Sequence, residues 1–241
     1  ATYPERFPGK EYKARWEEFV DRFGEVQEED LDGAEQLARL TALTEEFEAF
    51  RREVLLANPL LEFDELLVLK RGAKSPSLGL PRNWQSNSSL KKTGYDDTIC
   101  TLSMDDLEAD PAPVFHGEGG RFVGDVDLDF DAERMLFSMP GDNGRWQVFE
   151  IKTDGSGLRQ LTGEQPDVDS YDACYLPDGK ILFTSTACFI GVPCVYGGSH
   201  VSVLYVMDRE GKNIRQLSFD QEHDWCPAVM NNGRVLYSRW E

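Results

Sequence analysis

"DGSGLRQLT" at Asp154–Thr162 returns as "EGKNIRQLS" at Glu210–Ser218. Both copies place a Gly-containing turn before Arg-Gln-Leu and a hydroxyl residue. Both also follow an apolar run, "WQVFEIK" in the first and "SVLYVMD" in the second. An Asp-Gly or Glu-Gly step between such runs is a hairpin signal, because its backbone suits the twist of the flanking strands. The repeat therefore reads as construction. Gly155 and Gly157 turn an outer hairpin, Leu158 and Leu161 pack between sheets, and Arg159 and Gln160 lie at the surface.

The same ruler laid along the chain aligns "DVDLDFDAERMLFSM" (125–139), "DACYLPDGKILFTST" (172–186) and "CPAVMNNGRVLYSRW" (226–240). Each has a short apolar stretch, an acidic or Asn/Gly turn, and then a strand centred on Leu136, Leu182 or Leu236. Four short strands in each unit of roughly 40–50 residues is the signature of a β-propeller blade of the WD40-like kind. "FDELLVLK" and "DTICTLSM" fit an earlier, irregular blade, split by the polar insertion "GAKSPSLGLPRNWQSNSSLKKTGYDD" (72–97). That insertion is too long for an ordinary hairpin loop and is read as functional or mobile.

The expected fold is thus mainly β: a partial, unclosed propeller of four-stranded antiparallel blades. It comprises one irregular blade, two regular ones and two strands of a fourth. The sequence stops at Trp240-Glu241 within a repeat and opens on Ala in place of Met, which points to a piece of a longer protein with a leader or tag removed. An unclosed propeller leaves strand edges able to pair with a second copy.

Residues 1–59 follow a different period, and 60–241 carry the blades. "EYKARWEEFVDRFG" spaces Tyr12, Trp16, Phe19, Val20 and Phe23 for one helix face, with Gly24 as a stop. Asp32 with Glu35 reads as a capping box. Leu37, Leu40, Leu43, Phe47, Phe50 and Val54 then form one stripe that ends at Asn58-Pro59. A helical hairpin is expected there, with its apolar stripe a packing face.

Of the 241 residues 44 are Asp or Glu and 25 are Lys or Arg, a formal charge of −19. Nucleic acid is disfavoured as a partner, since its phosphates are met by clustered cations, and an anionic membrane surface repels such a chain. No run approaches the roughly 18 apolar residues of a membrane span, so no membrane insertion is expected. Neither "FHGEGG" nor "GGSH" leads from a strand into a helix, which argues against a phosphate cradle.

The candidate site lies in the connections between blades. "DQEHDW" sets Glu222, His223 and Asp224 just before an inner strand, and "DVDSYD" sets Asp167, Asp169 and Asp172 one blade earlier. Asp125 and Asp127 stand at the equivalent place before that. Radial repetition gathers these groups on one rim of the central channel. There Asp169, Asp172, Glu222, His223 and Asp224 could bind a ligand or a cation. Alternatively, they hydrogen-bond backbone N–H groups and fix the loops. No cysteine has a visible His and Asn partner pattern, so no catalytic residue is assigned and no cofactor is expected.

The stretch "IKTDGSGLRQLT" with "YLPDGKILFTS" resembles TolB-like propeller repeats. "NPLLEFDELLVLKR", "YLPDGKILFTSTACFIGVPC" and "LSFDQEHDWCPAVMNNGRVLYSRWE" resemble the secreted planctomycete-type bacterial proteins related to the hydrazine synthase alpha subunit. This resemblance implies a periplasmic or extracellular, multidomain protein. Covalent c-type haem takes a C-x-x-C-H run, which the sequence lacks, so the resemblance brings no haem with it. In a secreted protein Cys188 and Cys194, flanking "FIGVP", would close a short disulfide loop worth about 2–3 kcal/mol. Free thiols or a metal pair are the alternatives. The functional expectation is a non-catalytic binding or scaffold module with a protein or glycan partner. The competing one is part of an extracytoplasmic enzyme subunit related to hydrazine synthase alpha, with its catalytic groups elsewhere.

Overall fold

The computed structural model describes residues 5–29, 32–163 and 165–240. The chain divides into two compact units that meet between Asp64 and Glu65.

The first unit is a helical hairpin of α1 (Gly9–Glu28) and α2 (Gly33–Leu56). Asp32 caps α2, its Oδ1 accepting the N–H groups of Ala34 at 2.9 Å and Glu35 at 2.8 Å. The helices run antiparallel, as the rungs Arg15–Glu53, Arg22–Glu46 and Arg39–Glu29 require. Between them Phe19 meets Phe47 and Phe50 at 5.5 and 5.3 Å. Gly24 does not stop α1, which continues to Glu28. A helix-interior glycine costs only about 1 kcal/mol, and the extra turn gains Gln36 Nε2 donating to the Val26 carbonyl and Arg39 on Glu29.

The second unit is a stack of antiparallel sheets. The first sheet has the order β1 (Glu65–Arg71), β3 (Asp97–Ser103), β4 (Ala112–His116), with the short β2 (Trp84–Asn87) inside the insertion. The second runs β5 (Gly124–Leu128), β6 (Arg134–Pro140), β7 (Trp146–Lys152), β8 (Arg159–Gln160). The third runs β9 (Ser170–Tyr175), β10 (Ile181–Ser185), β11 (Val203–Met207), β12 (Arg215–Gln216). The fourth pairs β13 (Asp224–Val229) with β14 (Val235–Arg239). No sheet is closed among the described residues, and the blades are those expected: one irregular, two regular and one pair of strands.

Pleating explains the unbroken apolar runs of the middle strands. On β6, Met135, Phe137 and Met139 pack with Ile99 and Leu67 of the first sheet, while Leu136 faces Ala173, Ile181 and Phe183 of the third. On β10, Leu182 turns the other way, toward Val229, Val235 and Tyr237. A strand buried on both faces has no polar side to alternate with.

The Arg-Gln-Leu-Thr/Ser end of the repeated motif has a structural account in each position. Arg159-Gln160 and Arg215-Gln216 are the two-residue outer strands β8 and β12. The N–H groups of Leu161 and Leu217 then donate to Val148 and Leu204 at 2.8 Å. The hydroxyls of Thr162 and Ser218 accept from the N–H groups of the same two residues at 3.0 and 2.9 Å. Arg159 is more than surface: it donates to the buried Glu150 and to the Arg209 carbonyl, each at 2.8 Å. Gln160 donates to the Thr162 carbonyl at 2.7 Å and Gln216 to that of Ser218 at 2.8 Å. Leu161 is buried as expected, but Leu158 is exposed.

Candidate rim site

Asp169 and His223 occupy the same place in successive blades. Each precedes an inner strand, and its carbonyl accepts an N–H from the end of the second strand, Thr186 to Asp169 and Trp240 to His223, both at 3.0 Å. Each side chain accepts an N–H at the start of the third strand of the preceding blade. Asp169 Oδ1 takes Trp146 at 3.0 Å, and His223 Nδ1 takes Ser202 at 3.1 Å. The Ser202 hydroxyl lies 3.0 Å from the same nitrogen. These clips tie consecutive blades together before any ligand is considered.

A second tier sits on the inner strands, at bulges where Asp125, Asp172 and Cys226 take left-handed backbone with φ of +51°, +54° and +52°. Asp172 Oδ2 accepts the Cys226 N–H at 2.5 Å, and its own N–H donates to Ser138 Oγ at 2.8 Å. Asp127 Oδ2 accepts the Tyr175 N–H at 2.9 Å in the same inter-blade manner. Burial, and then the nearby Asp125 charge, raise the Asp172 carboxyl to about 7. Asp125 is raised too, chiefly by burial, against hydrogen bonds from Ser138 and Asn87.

The insertion closes over this rim. Gln85, Ser86 and Asn87 are buried; Asn87 Nδ2 donates to Asp125 at 2.5 Å, and Ser88 Oγ to Asp169 at 3.3 Å. Tyr171 OH reaches the Gln85 carbonyl at 3.5 Å, and Lys92 stands 3.9 Å from Asp169. An ordered, polar strap thus packs against Asp125, Asp169 and Tyr171.

Asp224, fully buried, accepts from Arg239 Nε at 3.0 Å through Oδ1, and its N–H donates to Ser202 at 2.8 Å. His223 is also fully buried, and desolvation pushes its imidazole down to about 4. The Ser202–His223 contact is therefore sealed from solvent, and the nitrogen nearest the hydroxyl already accepts a backbone proton. Asp172 is joined to the inner strand that follows His223, whereas Asp169 and His223 sit on separate connections. Among the described residues no group of three or more His, Cys, Asp or Glu side chains is arranged to hold a metal ion.

The disulfide expected between Cys188 and Cys194 is not formed; both are free thiols. Cys188 packs against the third sheet with its Sγ donating to the Val201 carbonyl at 3.3 Å, while Cys194 is exposed on the turn Pro193–Val195. Ser202, Ser138, Asn87 and Trp240 escape sequence reasoning as site residues. Their only signal is position, Ser202 opening the third strand and Trp240 ending the second.

No protein-family model matches the chain, and no curated protein matches it. Solved structures do. TolB from Agrobacterium tumefaciens aligns at 14% identity over 61% of this chain and 47% of its own, with a TM-score of 0.48. Hydrazine synthase of Kuenenia stuttgartiensis aligns at 14% identity over 72% of this chain and 27% of its own, with a TM-score of 0.53. A puromycin-hydrolysing peptidase of Mycobacterium tuberculosis aligns at 12% identity over 73% and 26%, with a TM-score of 0.50. The likeness to the last two is one of fold alone, a propeller, and the chain spans about half or less of each of these proteins. No helix among the described residues is long and apolar enough to cross a membrane.

Proposed function

We propose that the chain is a non-catalytic propeller module of a larger extracytoplasmic bacterial protein, binding a partner through the rim that faces the insertion. The observation that carries this reading is the use made of the rim side chains. Asp169, Asp172 and His223 each accept a backbone N–H from a neighbouring blade, and the one Ser–His contact is sealed. Groups committed in this way build a rigid surface, which supports a binding role. Location outside the cytoplasm rests on the resemblance of the "CFIGVPC" and "DQEHDW" stretches to secreted proteins.

The same stretches favour a second reading, in which the chain is the propeller of an extracytoplasmic enzyme subunit related to hydrazine synthase alpha. The reacting groups would then belong to other segments, and this module would keep its binding role. Association of two copies along the β14 edge belongs to either reading, and light scattering of the purified protein checks it.

Peptide and glycan arrays probed with the purified protein test the binding role, with retention on either expected. Hydrolysis of ester and aminoacyl-amide substrates tests the rest. Turnover abolished in His223→Asn or Asp172→Asn at an unchanged melting temperature overturns the non-catalytic assignment. Recovery of the native protein in the cytoplasmic fraction overturns the location.

A further inference from the structure

The helical unit leaves one side of its apolar stripe uncovered. Among the described residues α2 buries only Leu43 and Phe50, and α1 buries none. Trp16, Val20 and Phe23 of α1 are 50%, 48% and 48% exposed, and Leu37 of α2 is 66% exposed. A groove of about 290 Å³ runs between the helices here, lined by Trp16, Val20, Phe23, Leu43 and Phe47. A second, of about 350 Å³, shares Trp16 and Phe47 with it and extends the face past Tyr12, Val54 and Leu55. The other side of the hairpin is closed instead. There Arg15 bonds Glu53 at 2.6 Å and Arg22 bonds Glu46 at 2.7 Å, with the Arg15 guanidinium 4.7 Å from the Phe50 ring.

Two helices alone make a single layer, and a unit of this size without a cysteine to staple it gains stability by association. Trp16, Val20, Phe23, Leu37 and Leu55 together offer roughly 500 Å² of apolar surface, taking 150–250 Å² for a whole large side chain. Two such faces in contact remove about 1,000 Å² from water before the groove walls are added, which reaches the size of a specific interface. The spacing suits helices as the covering layer. Leu40, Leu43, Phe47, Phe50 and Val54 alternate steps of three and four residues, the seam of a left-handed bundle.

We infer that this face is covered by the same face of a second copy of the chain, the two hairpins packing about a two-fold axis into a four-helix bundle. Charge favours a second copy over another helix. Lys13 and Arg51 flank the groove at the end where α1 begins and α2 finishes, with Lys10 and Arg52 beside them. Toward the turn between the helices the same exposed rows carry Asp21 and Glu28 on α1 and Glu45 on α2. The face thus has a basic end and an acidic end. A two-fold axis perpendicular to the helices sets the basic end of each copy on the acidic end of the other, so the surface is complementary to itself. A helix of one charge sign would suit one end and be repelled at the other. The inference concerns the helical unit alone and goes beyond either reading of the sheets.

Sedimentation velocity of the whole chain, from about 1 to 100 μM, tests this, with a dimer of micromolar Kd expected. Val20→Glu and Leu37→Glu, at exposed positions, should each weaken it at least about tenfold. Far-ultraviolet circular dichroism reports whether the helices survive each change, and Val20→Ala is a milder variant that favours helix and should still weaken the dimer. Lys13→Glu should weaken association at low salt and leave it nearly unchanged at high salt, where the paired ends are screened. A chain that stays monomeric across the range overturns the proposal. So does a dimer that the Val20 and Leu37 variants leave intact, which assigns association to the β14 edge instead. A dimer lost in those variants but indifferent to Lys13→Glu at low salt overturns the two-fold arrangement of the ends.

Discussion

The Nδ1 of His223 accepts the N–H of Ser202 at 3.1 Å, across the boundary between two blades, and the imidazole that does so is wholly buried. A histidine in that position must stay neutral for the fold to keep its clip. The same bond therefore makes blade packing sensitive to acid.

Burial lowers His223 from its ordinary 6.5 to about 4. The unfolded chain then binds the proton more readily, so the contribution is full above pH 6.5 and is lost as the pH falls toward 4, by about 3 kcal/mol in all. Urea midpoints measured from pH 7 to 4.5 should fall accordingly. His223→Asn, which keeps an acceptor for Ser202, should flatten that slope.

Asp172 has the opposite sign. Its carboxyl is raised from 3.8 to about 7, so the native state holds the proton more tightly and stability declines as the pH climbs through that window. Asp172→Asn retains an oxygen for the Cys226 N–H and removes the repulsion from Asp125. It should stabilise the protein at pH 8 by about 1 kcal/mol, discounted for partial exposure, and have little effect at pH 5. Thermal melts of the two proteins at both pH values check this.

The turn glycines separate two causes of strain. A Cβ at Gly211 (φ +76°) would stand 2.3 Å from the Leu161 carbonyl oxygen, whereas Gly179 (φ +82°) has nothing within 4 Å. Gly179→Ala should cost about 1 kcal/mol from the backbone alone, and Gly211→Ala well over 2 kcal/mol. Equal losses in denaturant titrations would contradict the close approach of one blade's turn to the preceding blade.

Thr162 and Ser218 end the repeated motif because their hydroxyls accept the N–H groups of Val148 and Leu204. Thr162→Val keeps the shape and strands a buried donor, which should cost about 1–3 kcal/mol. Ser218→Ala, in the less covered copy, should cost less. Chemical denaturation of both variants gives the comparison.

Much of the fold is legible because its signals are local. Leu136, Leu182 and Leu236 recur at blade spacing, and Asp-Gly turns mark the hairpins between strands that are apolar on both faces. The equivalent places of Asp169 and His223 before successive inner strands follow from the same period. Their partners do not, since Trp146 and Ser202 offer backbone N–H groups, which no side-chain pattern advertises. Gly24 misled because one residue's propensity is weaker than a turn of helix packed and paired at its end.

By itself, then, the sequence determined the succession of antiparallel sheets and the order of their strands, for each depends on near neighbours and a fixed period. Only the tertiary structure decided what the acidic residues between them do. The insertion covers the rim with Asn87 on Asp125, Cys188 and Cys194 face different surroundings, and Trp84 reaches Trp240 from far along the chain. Contacts between distant segments are set by how whole sheets pack, and no local pattern encodes that geometry.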